Sequence, residues 1–208
     1  MKPAPTKQIQ INQHLDQIAK VDVDVKRGLE VLGYPAPRVR PPGFETLLST
    51  VVGQQISTEA ANAVMFRVQQ LLPEMKAGCL LQLPIGALRQ AGLSGRKVEY
   101  AEGLARAMME GRFNPASLTD LNDQLAIESI TSLRGFGPWS AEIYLMFCLD
   151  RPDVFPAADL ALQVALQKLK GLQQRPTPEQ ARALIQHWAP WHSFGSLFLW
   201  HYYRGEPT

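Results

Sequence analysis

Apolar residues recur at helical spacing along almost the whole chain, and no run of alternating β-branched residues exceeds a few positions. That periodicity permits one fold class, all-α. Phe44, Leu47, Leu48, Val51 and Val52, then Ala60, Ala61, Val64, Val68 and Leu71, follow i, i+3, i+4 spacing and would line one stripe of a helix. Between them, Val52-Gly53-Gln54-Gln55-Ile56-Ser57 interrupts the pattern. Ser57 ahead of Glu59 and Ala60 reads as a helix start, so the glycine and both glutamines fall in a tight turn. Further helices are predicted at 12–19, 23–32, 95–110, 121–132, 138–149, 159–170, 178–188 and 192–203. Pro138 and Pro178 take first helical positions, where the missing N–H costs nothing. The proline-rich joint at 35–42 is read as a rigid connection that lets the N-terminal segment pack back onto the C-terminal helices. The expected architecture is one domain over 1–208 made of two helical lobes with a cleft between them, about 40–134 and 1–39 plus 135–208.

With 208 residues, 46% hydrophobic and 19% charged, the chain is globular and needs neither disulfide nor metal to fold. Cys79 and Cys148 are too few for a disulfide framework and lack zinc or iron–sulfur spacing. The start, MKPAPTKQIQ, has no apolar leader core and no apolar run approaches membrane-spanning length, so neither secretion nor membrane contact is expected. A net charge of +2 permits nucleic-acid binding without demanding it; contacts would come from local geometry. His187, His192 and His201 have spacings of 5 and 9, which fit no compact metal motif. Arg96 and Lys97, at a helix start, read as a solvated face, and Trp188 and Trp191 as packing residues.

The segment Leu133-Arg134-Gly135-Phe136-Gly137-Pro138-Trp139-Ser140 carries the chemistry. Gly135 and Gly137 let the backbone turn sharply and approach a ligand, and the following helix start favours an anion such as a backbone phosphate. The glycines alone fit an ordinary connection with a glycine C-cap equally well. Twenty residues on, Asp159 stands in an apolar neighbourhood at a helix start, where its plain reading is an N-cap.

Four segments taken in order, VVGQQIS, LRGFGPWSAEIYL, VFPAADLAL and PWHSFGSLFLWHYY, resemble the helix–hairpin–helix DNA glycosylases, and most of all the 3-methyladenine DNA glycosylase II branch, over roughly residues 40–203. The chain looks like the compact members that lack an extra N-terminal mixed α/β domain. The resemblance implies a helix–hairpin–helix DNA-binding motif and makes Asp159 the catalytic carboxylate. Trp139, Ile143, Tyr144 and Trp200 would line the base pocket, although Tyr144 lies one residue from the family's aromatic position, held here by Ile143. Gln55, with Gln54 beside it, would be the wedge that fills the gap left by the extruded base. Gly135, Gly137 and Ser140 would meet the DNA backbone. The carbonyls of Thr131, Leu133 and Phe136 would hold a structural monovalent cation, Na+ or K+, with no other cofactor required. Relatives that also cut the strand carry a lysine two residues after the second hairpin glycine. Trp139 stands there, and the iron–sulfur cysteines of other relatives are missing.

The implied activity is monofunctional hydrolysis of the N-glycosidic bond of alkylated purines, 3-methyladenine and 7-methylguanine, in double-stranded DNA. It would belong to base excision repair, in the bacterial cytoplasm or the eukaryotic nucleus, with no obligate protein partner. A non-catalytic helix–hairpin–helix DNA-binding module, or a glycosylase for another damaged base, is the alternative.

Overall fold

The computed structural model describes residues 6–205, and among them every regular element is helical. The order is α1 (Lys7–Val21), α2 (Val23–Leu32), α3 (Phe44–Gly53), α4 (Thr58–Leu71), α5 (Ala77–Leu81), α6 (Ala87–Gln90), α7 (Gly95–Met109), α8 (Asp123–Thr131), α9 (Pro138–Cys148), α10 (Leu160–Leu169), α11 (Pro178–Leu184) and α12 (His192–Gly205). Two 3-10 turns lie at Pro115–Asp120 and Gln186–Trp188. The sequence reading missed α5, α6 and the first 3-10 turn, which are too short to show a period. It also ran the 178–188 helix through a segment that changes to 3-10 geometry after Leu184. No helix among the described residues is long and apolar enough to cross a membrane.

The chain divides into two compact units, Met1–Val39 with Asp150–Thr208, and Arg40–Leu149. The division falls after Leu149, whereas the sequence reading put the lobe boundary at 134/135. Helix α9 is the reason: all eight residues from Ser140 to Phe147 are buried, so it is a central helix that needs neighbours on every side. It finds them within 40–149, where Arg40 N–H donates to Phe147 O at 2.9 Å and Gly43 N–H to the Tyr144 hydroxyl at 2.8 Å.

The 40–149 unit packs the apolar stripes of α3 and α7 (Leu47, Leu48, Val51 and Ala101, Leu104, Ala105) with Ile130 and Leu145. In the other unit, Ile11, Leu15 and Ile18 of α1 are buried together with Leu162, Ala165 and Leu166 of α10 and Phe198 of α12. Gly28 and Gly195 lie so close to Phe198 and Trp188 that a Cβ would approach their rings to 2.6 and 2.4 Å. Trp191 stacks on His14 with ring centroids 4.0 Å apart, and Trp188 is fully buried, so both tryptophans do pack.

Asp22 is the polar centre of this unit, its side chain 1% exposed. It caps α2 by accepting from Asp24 and Val25 N–H, and it also accepts from Lys170 Nζ at 2.6 and 2.7 Å and Trp188 Nε1 at 2.7 Å. His187 Nε2 lies 3.0 Å from the same carboxylate. Burial pushes the Asp22 carboxyl up, but the donors from Lys170, Trp188 and His187 outweigh it and hold the group below its ordinary value of 3.8. A carboxylate lowered in the folded state adds stability above its unfolded pKa and loses it as pH falls through the folded one. Stability should therefore hold steady above about pH 5 and decline below about pH 4. Asp22→Asn, which leaves Lys170 with the Asp24 carboxylate at 2.9 Å as its remaining counter-charge, should lose about 1.5–3 kcal/mol at neutral pH and flatten the acid decline. Urea denaturation across a pH series checks both.

Candidate functional site

In the unit that combines the chain's two ends, Asp159 closes the loop 153–158 and opens α10. Its Oδ1 accepts from Leu162 N–H at 3.0 Å, which is the capping role expected of it, and from Trp200 Nε1 at 3.3 Å. The carboxylate is half-buried and anchored through one oxygen by two donors from different helices. Trp200 is only 8% exposed, and the Arg38 guanidinium lies over its ring at 5.7 Å from the centroid. The indole face thus already receives a cation. Asp159 and Trp200, 41 residues apart in sequence, are brought together here.

Groups that sequence reasoning missed hold the loop leading to Asp159. Buried Gln163 donates to Ala157 O at 2.7 Å, Arg182 donates to Phe155 O at 2.9 Å, and Val154 N–H donates to the Ser193 hydroxyl at 2.9 Å. A glutamine in the apolar run LALQVAL, one turn beyond Asp159, was the available signal for the first. Arg38, inside the proline-rich joint, gave none. The three C-terminal histidines go to separate partners: His187 to Asp22, His192 to Asp153 and Ile185 O, and His201 to Leu32 O. Among the described residues no three His, Cys, Asp or Glu side chains are grouped to hold a metal ion.

The 40–149 unit carries the hairpin and the glutamine turn. Gly135 has φ +94, in the left-handed region, and a Cβ there would lie 2.3 Å from the Tyr100 ring. Phe136 N–H donates to Leu133 O at 3.1 Å to close the turn, while the Thr131 hydroxyl turns back to Ile127 O at 2.8 Å. Helices α4, α7, α8, α10 and α11 all start on a side-chain cap, but α9, like α3, starts on a glycine, and Gly137 brings no side-chain oxygen to its first turn. Trp139, next to Pro138 there, is 41% exposed and so is not a core tryptophan; Ser140 is buried. Ile143 and Tyr144 are core residues of this unit: burial pushes the Tyr144 hydroxyl up to about 12, and Gly43 N–H occupies it.

The two glutamines separate. Gln54 is half-buried and its amide donates to Gly135 O at 2.7 Å, so it ties the turn to the hairpin. Gln55 is exposed at φ +57, a conformation costing a non-glycine residue about 1–2 kcal/mol. Lys97 is not on a solvated face. It reaches Val52 O at 2.7 Å, and burial lowers its ammonium below the ordinary value.

A family model described as HhH-GPD superfamily base excision DNA repair protein matches residues 48–190. The chain is 29% identical over 165 residues to a putative DNA-3-methyladenine glycosylase of Bacillus subtilis; the match takes in 76% of this chain and 58% of that relative's length. A solved DNA-3-methyladenine glycosidase from Bacillus halodurans aligns with TM-score 0.81 and 31% identity over 91% of this chain and 88% of its own. The fold is also shared, with TM-score 0.85 over 93% and 98% of the two chains, with a Schizosaccharomyces pombe 3-methyladenine DNA glycosylase in complex with abasic DNA, at 24% identity.

Gly135→Ala should force both the positive φ and the Tyr100 ring to yield, a loss of about 2–4 kcal/mol. The check is urea denaturation, in which the variant should be less stable by that amount.

Proposed function

As the chain belongs to the HhH-GPD superfamily of base excision DNA repair proteins, we propose that it is a monofunctional DNA glycosylase that removes alkylated purines such as 3-methyladenine and 7-methylguanine from double-stranded DNA. The target bond is out of reach inside the stack, so the nucleotide must be extruded first. Gln55, exposed at the tip of its turn, is the residue suited to fill the gap, with Gln54 as its support. The uncapped start of α9, with Gly135, Gly137 and the Ser140 amide, suits a backbone phosphate. The carbonyls of Thr131, Leu133 and Phe136, of which Leu133 O also accepts from Phe136 N–H, would hold a monovalent cation, which would add positive charge to that turn.

The observation that carries the reaction is the anchored carboxylate. As the glycosidic bond lengthens, positive charge develops on the deoxyribose, and an ionised Asp159 held by Leu162 N–H and Trp200 Nε1 stabilises it without having to reorganise. The base departs with the bond's electron pair and so leaves uncharged, water adds at C1′ and gives its proton to solvent, and an abasic site remains. A 3- or 7-methylated purine already carries positive charge and leaves readily. Indole faces attract such a base, at about 0.5–2 kcal/mol each, and the Trp139 ring, 41% exposed, is suited to it. The Arg38 cation on Trp200 supports that preference. Trp139 stands where a Schiff-base lysine would be needed, so the strand stays intact. The protein would work wherever the cell keeps its DNA, with no obligate protein partner.

Wild-type protein should release free 3-methyladenine or 7-methylguanine from methylated duplex, with strands breaking only after alkali. Asp159→Asn should lose at least about 100-fold in release while still binding the duplex. Binding without release by either protein would instead identify a DNA-binding module or a different damaged base.

A further inference from the structure

Helix α7 touches both DNA-facing parts of the 40–149 unit from one face. Lys97 and Tyr100, three residues apart, lie on the same side of the helix. Lys97 donates to Val52 O in the last turn of α3, just before the glutamine turn. The Tyr100 ring lies against Gly135 so closely that no Cβ fits between them, and on the outer side Arg134 pairs with Glu99. Gln54 then closes the arrangement, its amide running directly from the glutamine turn to Gly135 O. Turn, hairpin and α7 thus form a three-cornered brace, and Gln55, at positive φ and exposed, is the residue it holds outward.

We propose that Gln54 and Lys97 are positioning residues for base extrusion: they lock the Gln55 turn to the 132–137 hairpin so that the point of insertion keeps a fixed distance from the gripped phosphate. The inference rests on the reading of Gln55 as the wedge and the hairpin as the phosphate grip. A side chain that enters a base stack is pushed back by the stack, because unstacking costs a few kcal/mol. An exposed turn in a strained conformation would yield to that load. The Lys97 ammonium secures the carbonyl end of α3, where it also complements the helix dipole, and the Gln54 amide carries the load into the hairpin that holds the phosphate. Neither residue touches the bond that breaks. Their loss slows extrusion and leaves hydrolysis of an already unstacked base unaffected.

The test compares Gln54→Ala and Lys97→Met with wild type in single-turnover release of 7-methylguanine at saturating protein, from a duplex pairing the lesion with cytosine and from one placing it opposite thymine. Each variant should slow release from the paired duplex about tenfold, the loss expected for one positioning hydrogen bond, and from the mispaired one no more than about twofold. Equal slowing on both duplexes, or none on either, overturns the proposal. A second reading avoids chemistry altogether. In the Asp159→Asn background, 2-aminopurine placed next to the lesion should brighten on binding, and adding Gln54→Ala or Lys97→Met should remove most of that rise while binding persists. If wild type releases no base but the fluorescence still separates the variants, the glycosylase reading fails and the brace stands. If wild type releases base and the variants match it in both assays, the brace fails alone. Melting curves within a few degrees of wild type confirm that the variants fold; should Gln54→Ala not fold, Lys97→Met carries the comparison.

Discussion

The hydrogen bond from Leu162 N–H to the Asp159 carboxylate joins the stability of a helix to the chemistry proposed for the chain. A helix start leaves amides without intrahelical partners, and an acidic cap satisfies one of them while its charge meets the positive end of the dipole. The same contact keeps the carboxylate in one orientation, and Trp200 adds a second donor from α12 to the same oxygen. Around it the loop from Val154 to Ala157 is fixed by Ser193, Arg182 and Gln163, each through a backbone group. The fold therefore supplies a carboxylate that would need no rearrangement in the proposed reaction.

The start of α9 works in the opposite sense. Where α10 brings its own side-chain oxygen, Gly137, like Gly43 at the start of α3, brings none, and Pro138 supplies a helical φ without an N–H. The contrast between a helix closed by its own carboxylate and one without a side-chain cap would, under the proposed function, give the two units different tasks. One carries a fixed negative charge, the other a first turn suited to a negative ligand.

Helix positions and the character of the hairpin were legible in the sequence because period and punctuation are local properties. Asp159 could be singled out, but its tie to Trp200 could not, since nothing in either segment encodes the approach of two residues 41 apart. The reading of α9 as the opening helix of the C-terminal lobe failed for a related reason. A helix apolar on all sides announces burial without saying among which partners. Lys97 shows the limit from the other direction: a charged residue at a helix start resembles many solvated ones, and only the position of the Val52 carbonyl reveals that it turns inward. Gln54 and Gln55 are chemically identical neighbours, separated only by the backbone conformation of the turn.

The chain order of the two units has a consequence for biosynthesis. Residues 40–149 are contiguous, so everything needed for the brace, the hairpin and the glutamine turn has been made once Leu149 has emerged. The unit containing Asp159 is discontinuous. Asp22 waits for Lys170, His187 and Trp188, its partners in the core, and Asp159 waits for Trp200 near the end of the chain. Domains form as their segments leave the ribosome. The part proposed to grip DNA is therefore complete while the carboxylate proposed for hydrolysis still lacks its Trp200 donor, so under the proposed function a nascent chain would be able to hold a duplex before it could cut a base from it.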